Sequence, residues 1–476
     1  MPIGISGAMS KYAFGSNTTN ANHFIKTFDL NVAFPSATVG DTIRDASGNF
    51  YSVTFVWNSA GNGWDLGIFK ITESGLVEWV VDTGYSTGIA YAPVTWPSVI
   101  KEFGQNLYIL VSLPATTTTQ RGVLIKITKT GTVVWHKYLT DSSANYGIIC
   151  MVLDSSENIY FVSQSNAASS GNITKISSAG STVWTNSINT ATVISPVIEL
   201  DELNQNVIMI AGTLLYTIPM STGTMPTSPT NVTTYSSSDT SSKYQINSTQ
   251  SASFFDKKNR MLYMLVYSAQ STPYTLLTPT LLKINYDTGA VVWHKIITGY
   301  ELSSFQTASI TVDENENIYL THMSLLPGAS IYYPSFIKFD KNGNFKYSRY
   351  VTDSRGSNPG NYHFSPGKIF VDSKNTNNLY WILSFHGMNL EALIMYLPND
   401  GSKTGTRQTN PTQNFYQISY LPLNPIIYDN AISKSTTSAS FSTGNAISIS
   451  AGAMTNAVYT STKEVNVLYD NARINI

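Results

Sequence analysis

Residues 281–297 read LLKINYDTGAVVWHKII. Apolar residues alternate up to Ile284, a polar turn ends at Gly289, and a second alternating run carries Trp293. Period-two alternation on both sides of an Asp- and Gly-containing turn predicts a β-hairpin with one buried face. The same pattern returns at residues 123–139 (VLIKITKTGTVVWHKYL) and 68–81 (IFKITESGLVEWVV), and more loosely from Ile173 (ITKISSAGSTVWTNSI). Trp79, Trp135, Trp184 and Trp293 mark the repeat, with Tyr347 of FKYSRY in the same role. Their spacing is roughly 50–58 residues when one degenerate copy near Tyr235 is included, which is the period of a propeller blade.

A second hairpin precedes each of these. It has the form apolar-x-Asp, a short polar turn, then Asn-x-Tyr: IRDASGNFY from Ile43, MVLDSSENIY from Met151, SITVDENENIY from Ser309 and IFVDSKNTNNLY from Ile369. Asp and Asn suit such turns because their side chains bond nearby backbone and tolerate left-handed φ. Each unit therefore holds four antiparallel strands, A to D. Strands A, B and C occur in seven copies, beginning near residues 43, 98, 149, 198, 253, 308 and 367. The seventh copy, ending at LIMYLPNDG, has no strand D at the expected distance. One period before Trp79 lies HFIKTFDL, where Phe24 and Lys26 match the Trp and Lys of VVWHK. The expected fold is all-β: a seven-bladed β-propeller over residues 23–410, its last blade closed by an N-terminal strand at 23–30. The rival closing strand is NFYQISY from Asn414. Closure of either kind removes a long unpaired sheet edge.

The DTGxVVW pattern, best at Asp287–Trp293, resembles the repeat of PQQ-like propellers, a class that includes quinoprotein dehydrogenases and outer-membrane assembly propellers. The resemblance covers about residues 23–410 and is specific for the blade, not for an activity. It implies that Trp79, Trp135, Trp184 and Trp293 are structural residues docking one blade on the next. The dehydrogenases of that class commonly show an adjacent cysteine pair or a C-x-x-C-H haem signature, and the chain has neither. No cofactor is expected.

Composition narrows function further. Charged residues make up 12% of the chain, and 28 Lys and Arg stand against 29 Asp and Glu, a net charge of −1. There is no global field to attract nucleic acid or an anionic membrane, and neither is expected as a partner. The single cysteine, Cys150 of GIICMVLD, reads as a buried structural thiol. The first twenty residues show neither a classical export signal nor a membrane-spanning stretch.

The two ends of the ring are expected to differ. A–B and C–D turns are short and formulaic, whereas B–C and D–A connections are long and aromatic, as in VWNSAGNGWD, TGYSTGIAYAPVTWP and LLPGASIYYP. Long loops on a rigid scaffold are where binding is usually placed. The candidate binding rim is Trp57, Trp64, Tyr85, Tyr91, Trp96, Tyr146, Tyr332, Tyr333 and Tyr362. Exposed aromatic rings offer large contact area at small entropic cost, which fits protein or sugar partners. The plainer reading packs these rings between loops as a cap.

Catalytic and metal sites are not expected. Gly84–Gly88 matches G-x-S-x-G but follows strand D with no helix after it, so the nucleophile elbow is missing. The turns from Asp313 and Asp340 begin like calcium loops and lack the later Gly and Glu. His23, His136, His294, His322, His363 and His386 show no metal-pair spacing. Isolated funnel candidates for an enzyme are Asp65, Glu301 and His363. Residues 1–22 read as a polar arm, and 411–476 as a Ser-, Thr- and Asn-rich β tail for docking or oligomerisation. An arm and a tail that order on neighbouring subunits suit an assembly component. The expected function is a non-enzymatic structural or binding part of a bacteriophage virion (tail, fibre or capsid-associated). Its partners would be other virion proteins, copies of itself or a host surface glycan. The alternatives are a bacterial surface or secreted binding module of the PQQ-like class, and a propeller enzyme such as a lyase, hydrolase or quinoprotein.

Overall fold

A computed structural model describes residues 24–28, 37–58, 63–73, 77–86, 98–114, 120–140, 146–165, 170–189, 197–211, 214–224, 232–237, 245–246, 252–269, 277–298, 301–302, 308–325, 332–353, 365–386, 390–402, 405–408, 417–422, 426–428, 432–436, 448–450 and 457–459. Every regular element among them is a β-strand, and the strands form seven antiparallel sheets, the blades of a propeller.

Blade 1 runs Ala37–Arg44, Phe50–Asn58, Gly63–Ile71 and Val77–Ser86. Blade 2 runs Ser98–Phe103, Asn106–Pro114, Gln120–Thr128 and Val133–Thr140. Blade 3 comprises Tyr146–Leu153, Ile159–Ser165, Ser170–Ile176 and Thr182–Asn189. Blade 4 comprises Val197–Asp201, Asn206–Ala211, Leu214–Pro219 and Val232–Ser237. Blade 5 is built from Ala252–Asp256, Met261–Ala269, Leu277–Asn285 and Val291–Thr298. Blade 6 is built from Ser309–Val312, Ile318–Leu325, Tyr332–Phe339 and Phe345–Asp353. Blade 7 takes Ser365–Val371, Asn378–His386 and Leu390–Pro398 from the end of the ring, and its fourth strand is Phe24–Phe28. That strand pairs antiparallel with Leu390–Pro398, Phe24 opposite Tyr396 and Phe28 opposite Ala392. The rival segment goes elsewhere: Gln417–Pro422 lies against the outer strand of blade 6.

The A strands of successive blades adjoin around the axis, and that of blade 7 meets that of blade 1. The core lies between blades. Seven apolar clusters fill the seven seams, for example Tyr51, Ile68 and Val81 of blade 1 with Ile100, Ile109 and Ile125 of blade 2. Each fully buried side chain of this size contributes roughly 1.5–3 kcal/mol, so the seams are the main source of stability.

One carboxylate organises each well-formed A–B turn. Asp154 Oδ1 accepts from the backbone N–H groups of Ser156 (2.9 Å) and Asn158 (2.8 Å), and Oδ2 from Asn158 Nδ2 (2.9 Å) and the Tyr160 hydroxyl (3.0 Å). Asp313 does the same for Asn315, Asn317 and Tyr319. The Asp…Asn-x-Tyr spacing is thus a turn and its lock together. Glu157 and Glu316 occupy the left-handed position in these turns, with φ of 63° and 61°.

The C–D hairpin explains the Trp. A register shift falls at the same lysine in blades 1, 2, 3, 5 and 6, and it places Lys70, Lys126, Lys175 and Lys283 opposite Trp79, Trp135, Trp184 and Trp293, and Lys338 opposite Tyr347. Residues directly opposite share a face of the sheet. The strand-B tyrosine joins the row, and each lysine ammonium stands over its ring, as Lys126 does over Tyr108 at 5.2 Å and Lys175 over Tyr160 at 5.0 Å.

The C-terminal chain beyond blade 7 adds outer strands to the ring. Gln417–Pro422, Ile426–Tyr428, Ile432–Thr436, Ser448–Ser450 and Ala457–Tyr459 pair antiparallel with the D strands of blades 6, 5, 4, 2 and 1. Gly405–Gln408 lies outside the first of these. The described tail strands find their partner sheets in the chain's own blades, where the sequence reading looks to other subunits.

Candidate binding face and central channel

The ring has one end made of A–B and C–D turns and one made of B–C and D–A connections, and the two differ chemically. At the first end the D-strand aromatics of blades 1, 2, 3, 5 and 6 reach the next blade. The indole N–H groups of Trp79, Trp135, Trp184 and Trp293 donate to the carbonyls of Lys129 (3.1 Å), Ser178 (3.2 Å), Met220 (3.1 Å) and Lys341 (3.1 Å). The Tyr347 hydroxyl donates to the Asn399 carbonyl at 3.2 Å. A turn glycine lies beneath most of these rings. A Cβ on Gly223 would stand 2.4 Å from Trp184, and one on Gly401 2.6 Å from Tyr347, and both residues have positive φ. Ion pairs cross the same end: Arg260 holds Asp201 at 2.5 Å and Asp287 at 2.6 Å, Lys126 reaches Glu157 at 3.0 Å, and Lys283 reaches Glu316 at 3.2 Å. Burial would raise the Asp201 carboxyl, but the hydrogen bonds from Arg260 and Asn204 outweigh it and hold it below the usual range.

The opposite end carries the candidate rim. The backbone puts Trp57 directly across from Trp64 on the B–C hairpin of blade 1, with Tyr85 near the end of that blade's D strand. Tyr146 opens strand A of blade 3, and Tyr332 and Tyr333 open strand C of blade 6. All six stand at strand ends on this one end of the ring. Tyr333 is half-buried, its ring centroid 5.7 Å from that of Tyr350. Tyr91, Trp96 and Tyr362 lie outside the described residues.

The channel holds residues that the sequence reading did not single out. Asp41 joins three blades: its Oδ2 accepts from Ile100 N–H of blade 2 at 3.0 Å, and its Oδ1 pairs with Lys368 of blade 7 at 2.5 Å. Ser98 Oγ accepts from the Asp41 N–H at 3.1 Å. Across the axis, Ser253 of blade 5 donates to Glu199 of blade 4 at 3.2 Å. Burial raises the Glu199 carboxyl above the usual range, against the opposing pull of Lys101 and the Ser253 hydrogen bond. Between blades 6 and 7, Thr311 Oγ1 donates to the Ile369 carbonyl at 3.0 Å. These side chains satisfy backbone and charge across the seams.

The remaining motifs resolve in structural terms. The carboxylates of Asp313 and Asp340 are taken up by their own turns, Asp340 accepting from the N–H groups of Asn342 and Asn344, both at 2.9 Å. Burial pushes the Cys150 thiol up to about 12 and the His322 imidazole down to about 3, so near neutral pH the thiol stays protonated and the imidazole uncharged. Asp65 and Glu301 lie in strands Gly63–Ile71 and Glu301–Leu302, and His363 lies outside the described residues. Among the described residues no three His, Cys, Asp or Glu side chains gather as a metal site would require, and no helix is long and apolar enough to cross a membrane.

No family model and no curated protein matches the chain. Among solved structures it is similar to the α-L-arabinofuranosidase Arb93A from Fusarium graminearum, at 8% identity over 80% of this chain and 99% of that one, with a TM-score of 0.42. It is similar also to the endo-arabinase of Bacteroides thetaiotaomicron (10% identity, 67% and 99% coverage, TM-score 0.33). The WD40 domain of SCAP from fission yeast gives 8% identity, 80% and 99% coverage and a TM-score of 0.32. At these identities and TM-scores nothing about activity passes to this chain, and its fold stands on the strand pairing itself.

Proposed function

We propose that this protein is a non-enzymatic binding propeller that meets its partner with the end carrying the long connections. The observation that carries this reading is the contrast between the ends. One is committed to seam-to-seam docking through indoles, turn glycines and ion pairs. At the other, Trp57, Trp64, Tyr85, Tyr146, Tyr332 and Tyr333 stand at strand ends. Rigid scaffolds place binding on such loops because loop sequence can change there without disturbing the core. The indole seated over the next blade's Gly turn supports reading the blade as PQQ-like.

The setting we propose is a bacteriophage particle, with the loop-rich end turned toward a host surface glycan. The near-zero net charge supports recognition by contact area over long-range attraction. Against an enzymatic role stands the use of the channel carboxylates: Asp41 bonds to Lys368 and Ile100, and Glu199 to Ser253.

The test is binding of the full chain to an array of bacterial surface polysaccharides. Trp57→Ala with Trp64→Ala is expected to weaken binding at least tenfold, while Val183→Ser, at an exposed position of the outer strand of blade 3, leaves it unchanged. Binding that survives the rim variant, or that follows Val183→Ser, would contradict the reading. Peptides of this chain in gradient-purified particles would place it in a virion, and their absence would favour a secreted or surface module of the same class.

A further inference from the structure

The C-terminal strands follow a rule that goes beyond the binding role. They visit the blades in the reverse of chain order, each pairing antiparallel with a D strand. Four residues beyond the docking aromatic, Val351 faces Tyr420, Ile297 faces Ile427 and Leu139 faces Ile449. The chain thus advances seven residues from blade 6 to blade 5, and 22 over the three blades from 5 to 2. An extended residue spans at most about 3.3–3.6 Å, so seven residues can reach roughly 25 Å. A tail that paired opportunistically would keep no such period.

The steps are unequal. The contacts on blades 6 and 4 pair five residues each, and that on blade 6 is also backed by Gly405–Gln408, whereas those on blades 5, 2 and 1 pair three each. A three-residue strand does not hold alone, but the step before it tethers it close to its edge and raises its effective concentration. Docking therefore runs from blade 6 toward blade 1, and release runs from the C-terminal side.

What the tail covers matters as much. Without it, blades 1, 2, 4, 5 and 6 would end on D strands whose outer N–H and C=O groups are unpaired, the usual template for edge-to-edge association. The tail strands that replace them at the surface are three to six residues long, and two of them, ISKST and SIS, are mostly Ser and Thr; such short strands are poorer templates than the D strands they cover. We propose that the strands Gln417–Pro422, Ile426–Tyr428, Ile432–Thr436, Ser448–Ser450 and Ala457–Tyr459 act as a strap that docks on the finished ring, blade 6 first and blade 1 last, and keeps the blade edges from pairing with a second copy of this chain.

The test uses the full chain with Ile427→Pro, Ser433→Pro and Ile449→Pro together, since proline removes the ladder N–H. Hydrogen exchange with mass spectrometry is expected to show D-edge amides in the wild type protected most in blade 6 and least in blade 1. In the variant, exchange at Ile296–Thr298 and Tyr138–Thr140 should quicken at least tenfold, while strand-B peptides such as Leu107–Val111 stay protected and report an intact ring. Light scattering should then show a monomeric wild type and a self-associating variant. Wild-type edges that exchange as fast as the variant's would overturn the strap. A variant with open edges that stays monomeric would overturn the guarding role. A wild-type dimer that the variant converts to monomers would mean the strap acts between copies and not within one. Should the triple variant fail to fold, Ala457→Pro alone is expected to free only the edge at Val80–Asp82, and unchanged exchange there would count against the proposal.

Discussion

At Asp201 a carboxylate with 1% side-chain exposure is held by a guanidinium from the next blade, Arg260, at 2.5 Å. Asp201 titrates below the ordinary carboxylate range because the Arg260 and Asn204 hydrogen bonds outweigh burial. A carboxyl depressed in the folded state adds stability above the unfolded value, near 4, and that stability is lost as pH falls through the folded value. Asp201→Asn leaves Arg260 with the exposed Asp287 as its only carboxylate and weakens its buried hydrogen bonds, a change that costs about 1.5–3 kcal/mol. The expected result is a lower urea midpoint at pH 7, with the gap to the wild type narrowing as pH falls below about 4. A gap that stays constant with pH would mean the pair contributes through shape alone. The sequence shows Asp201 as the turn residue of its repeat, but its partner lies 59 residues away on another blade. Asp41 and Glu199 were illegible for a related reason. A polar residue in strand A reads as an ordinary position of the alternation, and only the turn of the ring brings it to the channel.

The hairpin is the level at which the sequence is most readable. Alternation, turn residues and the Trp period are all local, so the blades, their count and the N-terminal closing strand follow from them. The pairing of a lysine with each Trp is not legible in the sequence, because its place depends on the register shift in the C–D hairpin, which alternation does not reveal. The docking that the PQQ-like resemblance implies has a measurable counterpart at Gly401. Its φ is +73°, and an added Cβ would lie 2.6 Å from the Tyr347 ring. Left-handed backbone costs an L residue about 1–2 kcal/mol, and overpacking adds about 1–3 kcal/mol. Gly401→Ala is therefore expected to destabilise the protein by about 2–5 kcal/mol, read as a drop in thermal midpoint. A neutral result would show that blades 6 and 7 do not dock through this turn. The tail strands were visible as short alternating runs, yet their partners were not. Alternation says that a segment is a strand and leaves open which edge receives it.

The whole molecule depends on one joint. Six blades are continuous in sequence, and the seventh joins Phe24–Phe28 to Leu390–Pro398. Asp41–Lys368 at 2.5 Å and Arg44–Asp372 at 3.4 Å tie the same seam from the inside. With the ring closed, one end is fixed by docking and the other is free to carry loops, and the proposed binding role rests on that division. The joint can be tested by covalent capture. Thr27 and Leu393 face each other in the closing pair, and the only native cysteine, Cys150, is buried. Facing Cα atoms on paired strands lie within disulfide reach. In a Thr27→Cys, Leu393→Cys variant under mild oxidation, the account predicts a quantitative intramolecular disulfide and a higher thermal midpoint. If the two thiols stay free while Leu393→Cys instead captures a cysteine placed at Ser419, the ring closes through the later strand and the account is wrong at its centre.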